Sequence, residues 1–151
     1  MEPGIRVVIS YLKQFATLGS DPSRLNKFDT SDAAYLNLPM AVLVNDASYS
    51  AAEFFAAALQ EYDAATVIGT QTFGKGNFQS LFELSGGAGL NLSIGKYYTP
   101  EGKSLSGIGI TPDEVVELSA ADYNNLYYGT LTHEEDVQLQ TALELMRQKI
   151  S

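Results

Sequence analysis

Val42-Leu43-Val44-Asn45-Asp46-Ala47-Ser48-Tyr49-Ser50-Ala51-Ala52-Glu53 is the stretch that decides how the rest of this chain is read. It closes a continuous apolar run, Met40 to Val44 after Pro39, the pattern of a strand buried on both faces. Asn45 to Tyr49 makes a short turn. Ser50 to Tyr62 then predicts a strong helix, rich in alanine, with core-sized Phe54, Phe55 and Leu59. A serine that opens a helix sits at the positive end of the helix dipole, and the amide of the next residue, Ala51, can stabilise an oxyanion. Ser50-x-x-Glu53 is equally a helix capping box. The turn by itself therefore fits a nucleophile or a simple cap.

Outward from this stretch the elements alternate. Thr66 to Ile68 predicts a second short buried strand, and Gly69 to Asn77 a glycine-punctuated loop. Phe78 to Leu84 and Leu90 to Tyr98 predict two strands joined by the hairpin signal Ser85-Gly86-Gly87-Ala88-Gly89. Pro100 to Pro112 is a loop, and Val115-Val116 adds an edge strand. Leu139, Leu143 and Met146 are spaced for a closing helix from about Glu134 to Lys149, behind a Thr132-x-x-Glu135 capping box. Upstream, Ile5, Val8, Ile9, Leu12 and Phe15 predict an amphipathic helix. Leu18 to Leu38 reads as a long polar connection. The order helix, strand, helix, strand, hairpin, helix predicts an α/β fold.

Composition narrows the function classes. The 151 residues are 45% hydrophobic and 18% charged, ordinary for one globular domain. The formal net charge of −9 is the wrong sign for a nucleic-acid binder, which needs a basic footprint on the phosphates. The absence of cysteine excludes disulfides and thiolate metal sites, and a single histidine excludes a multi-histidine zinc site. No apolar run approaches the ~20 residues of a membrane span.

A serine nucleophile needs a base. The one histidine, His133, stands beside Glu134-Glu135 at the start of the last predicted helix, where it reads as a solvated helix-end residue. A lysine serves instead where desolvation lowers its pKa. Lys75, in Phe73-Gly74-Lys75-Gly76-Asn77-Phe78-Gln79, lies between two glycines that let the backbone approach another element closely. Two decoys compete. Gly69 to Gly76 nearly matches a phosphate-binding loop, but Gly76 replaces the Ser or Thr that holds magnesium, and a strand rather than a helix follows. Ser10-x-x-Lys13 matches a penicillin-recognising motif, but it lies in the amphipathic segment and no Lys-Thr-Gly accompanies it.

Pro39 to Asp113 resembles the carboxyl-terminal processing peptidases, also called tail-specific proteases. Their strand–turn–helix reads like V-L-V-N-x-x-S-A-S-A-x-E, here Val42 to Glu53. Their lysine lies in G-T-x-T-F-G-K-G-x-x-Q, here Gly69 to Gln79 with every fixed position present. Their Y-Y-T-P-x-G-x-S-x-x-G-x-G-I-x-P-D appears whole from Tyr97 to Asp113, and Asp136 to Leu143 resembles the family's closing helix. The resemblance implies a crotonase/ClpP-like α/β core and a Ser–Lys peptidase acting on polypeptides near their carboxyl ends. It implies no metal, no cofactor and work outside the cytoplasm. It makes Ser50 the nucleophile, since the lysine follows the second serine by 25 positions, Lys75 the base, and Gln79 the side chain that orients the lysine. Ala51 N–H supplies half of the oxyanion hole. The other half comes from an upstream N-P-G-G-like turn, of which Pro3-Gly4 remains, so Gly4 is the candidate.

Tyr49 departs from the pattern, which has alanine between the two serines. The amino end departs more: the family's upstream strands and PDZ domain do not precede Ile5 here. The expectation is a single peptidase catalytic domain, truncated at its amino end. It would associate with itself through an unpaired sheet edge and be a poor peptidase alone. The rival classes are a non-catalytic ligand-binding or scaffold relative, with Ser50 only a cap, and a nucleotide binder.

Overall fold

The computed structural model describes residues 38–150 in full, together with the backbone of two earlier strands, β1 (Phe15–Gly19) and β2 (Lys27–Asp29). Residues 5–14 of the expected amphipathic helix lie outside this range. Phe15, its last member, opens a strand, and β1 and β2 correct the reading of residues 18–38 as one polar connection. Pairing with a distant partner makes β1: Ala16, Thr17, Leu18 and Gly19 lie antiparallel to Tyr98, Tyr97, Lys96 and Gly95. Long-range pairing of this kind leaves little local pattern to read.

The remaining elements are β3 (Ala41–Val44), α1 (Ala51–Glu61), β4 (Thr66–Gly69), β5 (Asn77–Glu83), β6 (Gly89–Tyr98), β7 (Glu114–Val115), α2 (Ala120–Tyr127) and α3 (Val137–Ile150). They form two sheets. Strands β3, β4 and β7 are parallel in that order, and β2-β1-β6-β5 form an antiparallel sheet. The expected α/β class is correct. Because β3 and β4 are parallel, the chain must cross over between them, and α1 is the crossover.

Alternation along the parallel strands sorts the core into two sides. Val42, Val44 and Val67 gather with Phe54, Ala56, Ala57, Leu105, Ile110 and Tyr97 around α1. Helix α3 packs on β3 and β4 and buries Gln138, Ala142 and Met146, spaced four apart on one face. The β3 strand is not buried on both faces as expected, because Leu43 remains 40% exposed. Helix α3 starts later than Glu134. The Asp136 side chain accepts from Leu139 N–H at 3.0 Å and caps it, while Thr132 and Glu135 bond to each other in the preceding turn. Helix α2 was not expected at all; its cap is Ser119, whose hydroxyl accepts from Asp122 N–H at 3.1 Å.

Candidate active site

Strand β3 ends at Val44, and six residues later α1 begins with Ser50 at its N-cap. The turn is closed by Ser48 N–H donating to the Asn45 carbonyl at 2.9 Å and by the Asn45 side chain accepting from Ala47 N–H at 3.0 Å. Ser50 itself has φ 59° and ψ −124°, a backbone region costly for any residue with a Cβ, on the order of 1–3 kcal/mol. Such strain persists only where the surroundings fix it, and here the fixing group is Glu53.

Glu53 is fully buried (0% exposed) in the first turn of α1. Its Oε2 accepts from Ser50 N–H at 2.9 Å and from Lys75 N–H at 2.8 Å. Its Oε1 accepts from Gly74 N–H at 2.6 Å and from the Thr72 hydroxyl at 2.6 Å. Four donors on two oxygens match the acceptor capacity of a carboxylate, and the positive end of α1 favours the negative charge. One side chain thus fastens the residue proposed as nucleophile and the residue proposed as base by their backbones. In the sequence Glu53 is legible as a capping-box residue alone; its wider role follows from the three lone-pair sites a carboxylate has left after capping Ser50.

The Lys75 loop is held from its other side as well. Gly107 N–H donates to the Gly74 carbonyl and Tyr97 N–H to the Gly76 carbonyl, both at 2.8 Å. Gly74 adopts φ 86°, and a Cβ there would stand 2.9 Å from the backbone nitrogens of Ile108 and Gly109. A Cβ on Gly76 would meet the backbone of Ser106. The two glycines beside Lys75 do allow the close approach expected of them, and the element approached is the loop of the Tyr97–Asp113 motif. Residue 77 begins strand β5 rather than a helix, so the loop lacks the helix a phosphate-binding loop needs.

The side chains are arranged as follows. Ala51 is the first residue of α1, where helix N–H groups have no intrahelical partner. Lys75 is exposed, and its ammonium lies over the Tyr49 ring, 5.6 Å from the centroid. The contacts that tie Lys75 to the turn are this one and its N–H on Glu53; a bond to the Ser50 hydroxyl is not among them. Gln79 is exposed on β5, and its Oε1 accepts from Asn91 at 3.2 Å. His133 is exposed in the turn before α3, where its carbonyl accepts from Gln140 at 2.6 Å. Gly4 and the Ser10–Lys13 pair lie outside the described residues. On the far side of the turn, the Tyr123 hydroxyl of α2 donates to Asp46 at 2.6 Å, and this bond pushes the phenol above its ordinary value of 10.0.

The profile of Peptidase family S41 matches residues 6–116, and this chain belongs to that family. The chain is similar to the carboxyl-terminal-processing protease of Synechocystis sp., at 44% identity over 119 residues. That match covers 79% of this chain and 27% of the relative. It is 38% identical over 151 residues to the carboxyl-terminal-processing protease of Picosynechococcus sp., covering 98% of this chain and 35% of that one. The solved photosystem II D1 C-terminal processing protease aligns with a TM-score of 0.61 at 27% identity, over 85% of this chain and 34% of that chain. A Bacteroides fragilis structure described as an S41 protease gives a TM-score of 0.68 at 25% identity, over 94% and 38%. The chain thus spans well under two thirds of the curated relatives it matches.

Proposed function

We propose that this chain carries the nucleophile and base of a serine endopeptidase that cleaves polypeptides near their carboxyl ends through a Ser50–Lys75 dyad. The observation behind the reading is the Glu53 carboxylate, which bonds the backbones of Ser50 and Lys75 at once. Membership in Peptidase family S41 supports the hydrolase class. The crotonase/ClpP-like description of the core belongs to the same reading, as does action outside the cytoplasm. Among the described residues, no helix is long and apolar enough to cross a membrane.

In the proposed reaction, the Lys75 amine takes the proton of the Ser50 hydroxyl as Oγ bonds to the scissile carbonyl carbon. The negative charge moves to the carbonyl oxygen, which Ala51 N–H and a second amide, for which Gly4 is the candidate, would stabilise. Collapse of this intermediate breaks the C–N bond, and Lys75 returns the proton to the leaving amine. Water then attacks the acyl-enzyme, gives its proton to Lys75, and Ser50 departs with that proton. Gln79, four residues beyond Lys75, is the candidate for orienting the amine.

The exposed ammonium over Tyr49 favours a second reading, a non-catalytic relative in which Ser50 only caps α1. Serine-directed fluorophosphonate labelling of the full-length protein separates the two. Labelling at Ser50 that disappears in Lys75→Ala and persists in His133→Ala is the expected result. An unlabelled Ser50, or labelling that depends on His133, refutes the dyad.

A further inference from the structure

Tyr49 and Phe73 form an aromatic step next to Ser50. They come from different segments, the turn after β3 and the loop after β4, yet both backbones are fixed. Phe73 N–H donates to the Ser48 carbonyl at 3.1 Å, and the neighbouring Ser50 and Gly74 amides are both held by Glu53. The rings meet edge to face with centroids 6.3 Å apart. Despite this order, Tyr49 is 57% and Phe73 66% exposed. Rings held this far out of the core contribute little to folding, and an exposed aromatic pair offers its faces and edges to an apolar group.

We propose that the Tyr49–Phe73 step is the subsite for a large apolar side chain on the residue flanking the scissile bond of a polypeptide substrate. This inference rests on the assignment of Ser50 as nucleophile. Tyr49 adjoins Ser50 in the chain and Phe73 N–H is tied to the Ser48 carbonyl, so on this reading the side chain flanking a carbonyl presented to Ser50 is the group the rings would meet. Its chemistry follows from theirs: aromatic faces and edges reward aliphatic and aromatic groups. An alanine at position 49, as the resembling family pattern has, would leave Phe73 a single ring with no second wall. The subsite is therefore a property of this chain's own turn.

The test reads binding without turnover. Fluorescent peptides with Phe, Leu or Ala at the two positions flanking a scissile bond are titrated against full-length Ser50→Ala protein. Phe and Leu peptides should bind about tenfold more tightly than Ala peptides. Adding Tyr49→Ala, or in a second variant Phe73→Ala, should shrink that preference to about twofold or less. Equal binding of Phe and Ala peptides, or a preference that survives both substitutions, overturns the subsite. A small fluorophosphonate, which occupies no side-chain subsite, reports on the wild-type nucleophile separately. Its failure to label Ser50 refutes the catalytic reading, while the peptide preference still decides the subsite.

Discussion

Glu53 does at the scale of one residue what would otherwise take several. It satisfies the Ser50 amide, holds that residue at a positive φ, and pins Gly74 and Lys75 to the same point. Glu53→Gln keeps the size of the side chain but turns an amide NH2 toward two of these donors. Bonds to a charged acceptor contribute about 1.5–3 kcal/mol each, and an unsatisfied buried donor costs about 1–3 kcal/mol. The expected loss is about 3 kcal/mol, read as a lower denaturant midpoint with an unchanged slope, together with loss of fluorophosphonate labelling at Ser50. A midpoint equal to wild type would show that the carboxylate network is not what holds the turn. The sequence made Ser50, Ala51 and Lys75 visible because each sits in a local pattern. It did not show the convergence on Glu53, since the donors at positions 72, 74 and 75 are 19 to 22 residues away and are mostly backbone groups, which carry no sequence signature.

Among elements, the loop between β4 and β5 is the best specified and the strand ends the least. Gly76 has no room for a Cβ against Ser106. Gly76→Ala should cost about 1–3 kcal/mol through overpacking and displace Lys75, so denaturation and Ser50 labelling should fall together. Labelling that survives a destabilised fold would separate the loop from the site. Hairpin β5–β6 was legible to within a residue because Gly86 and Gly87, at φ 85° and 79°, announce the turn. Helix α2 escaped notice because its sequence, Ala-Ala-Asp-Tyr-Asn-Asn-Leu-Tyr, buries none of its residues and so lacks an apolar period. Its Tyr123–Asp46 bond gives it a pH dependence. Hydrogen bonding to Asp46 raises the phenol above 10.0 in the folded chain, so the stabilisation is fully present below the unfolded value and vanishes as pH climbs through the folded one. In an alkaline titration followed by tyrosinate absorbance, Tyr123→Phe should remove one late-titrating phenol. An identical late phase in the variant would mean that the bond does not persist in solution.

For the molecule as a whole, β5 is the strand that governs association. In the order β2-β1-β6-β5 this seven-residue strand has a partner on one side alone among the described residues. Leu84 N–H donates to the Ala88 carbonyl at 2.8 Å, and alternation from that pair turns the main-chain groups of Glu83, Leu81 and Gln79 toward the open side. Leu81 is 68% exposed, with Phe82 and Leu84 also exposed beside it. A long edge with apolar side chains and no proline is a template for pairing with another strand. The 151-residue chain should therefore self-associate, its weight-average mass in sedimentation equilibrium rising across the micromolar range. Leu81→Lys places a charge at the middle of the edge without touching the buried core, since residue 81 is mostly in water. It should shift the association to about tenfold higher concentration or more, a loss of about 1.4 kcal/mol per tenfold step, while leaving the thermal midpoint near that of wild type. Edge pairing is the step being tested, so a mass that stays monomeric in the wild type, or that rises equally in Leu81→Lys, would mean that β5 is protected in solution by something other than a second copy of itself.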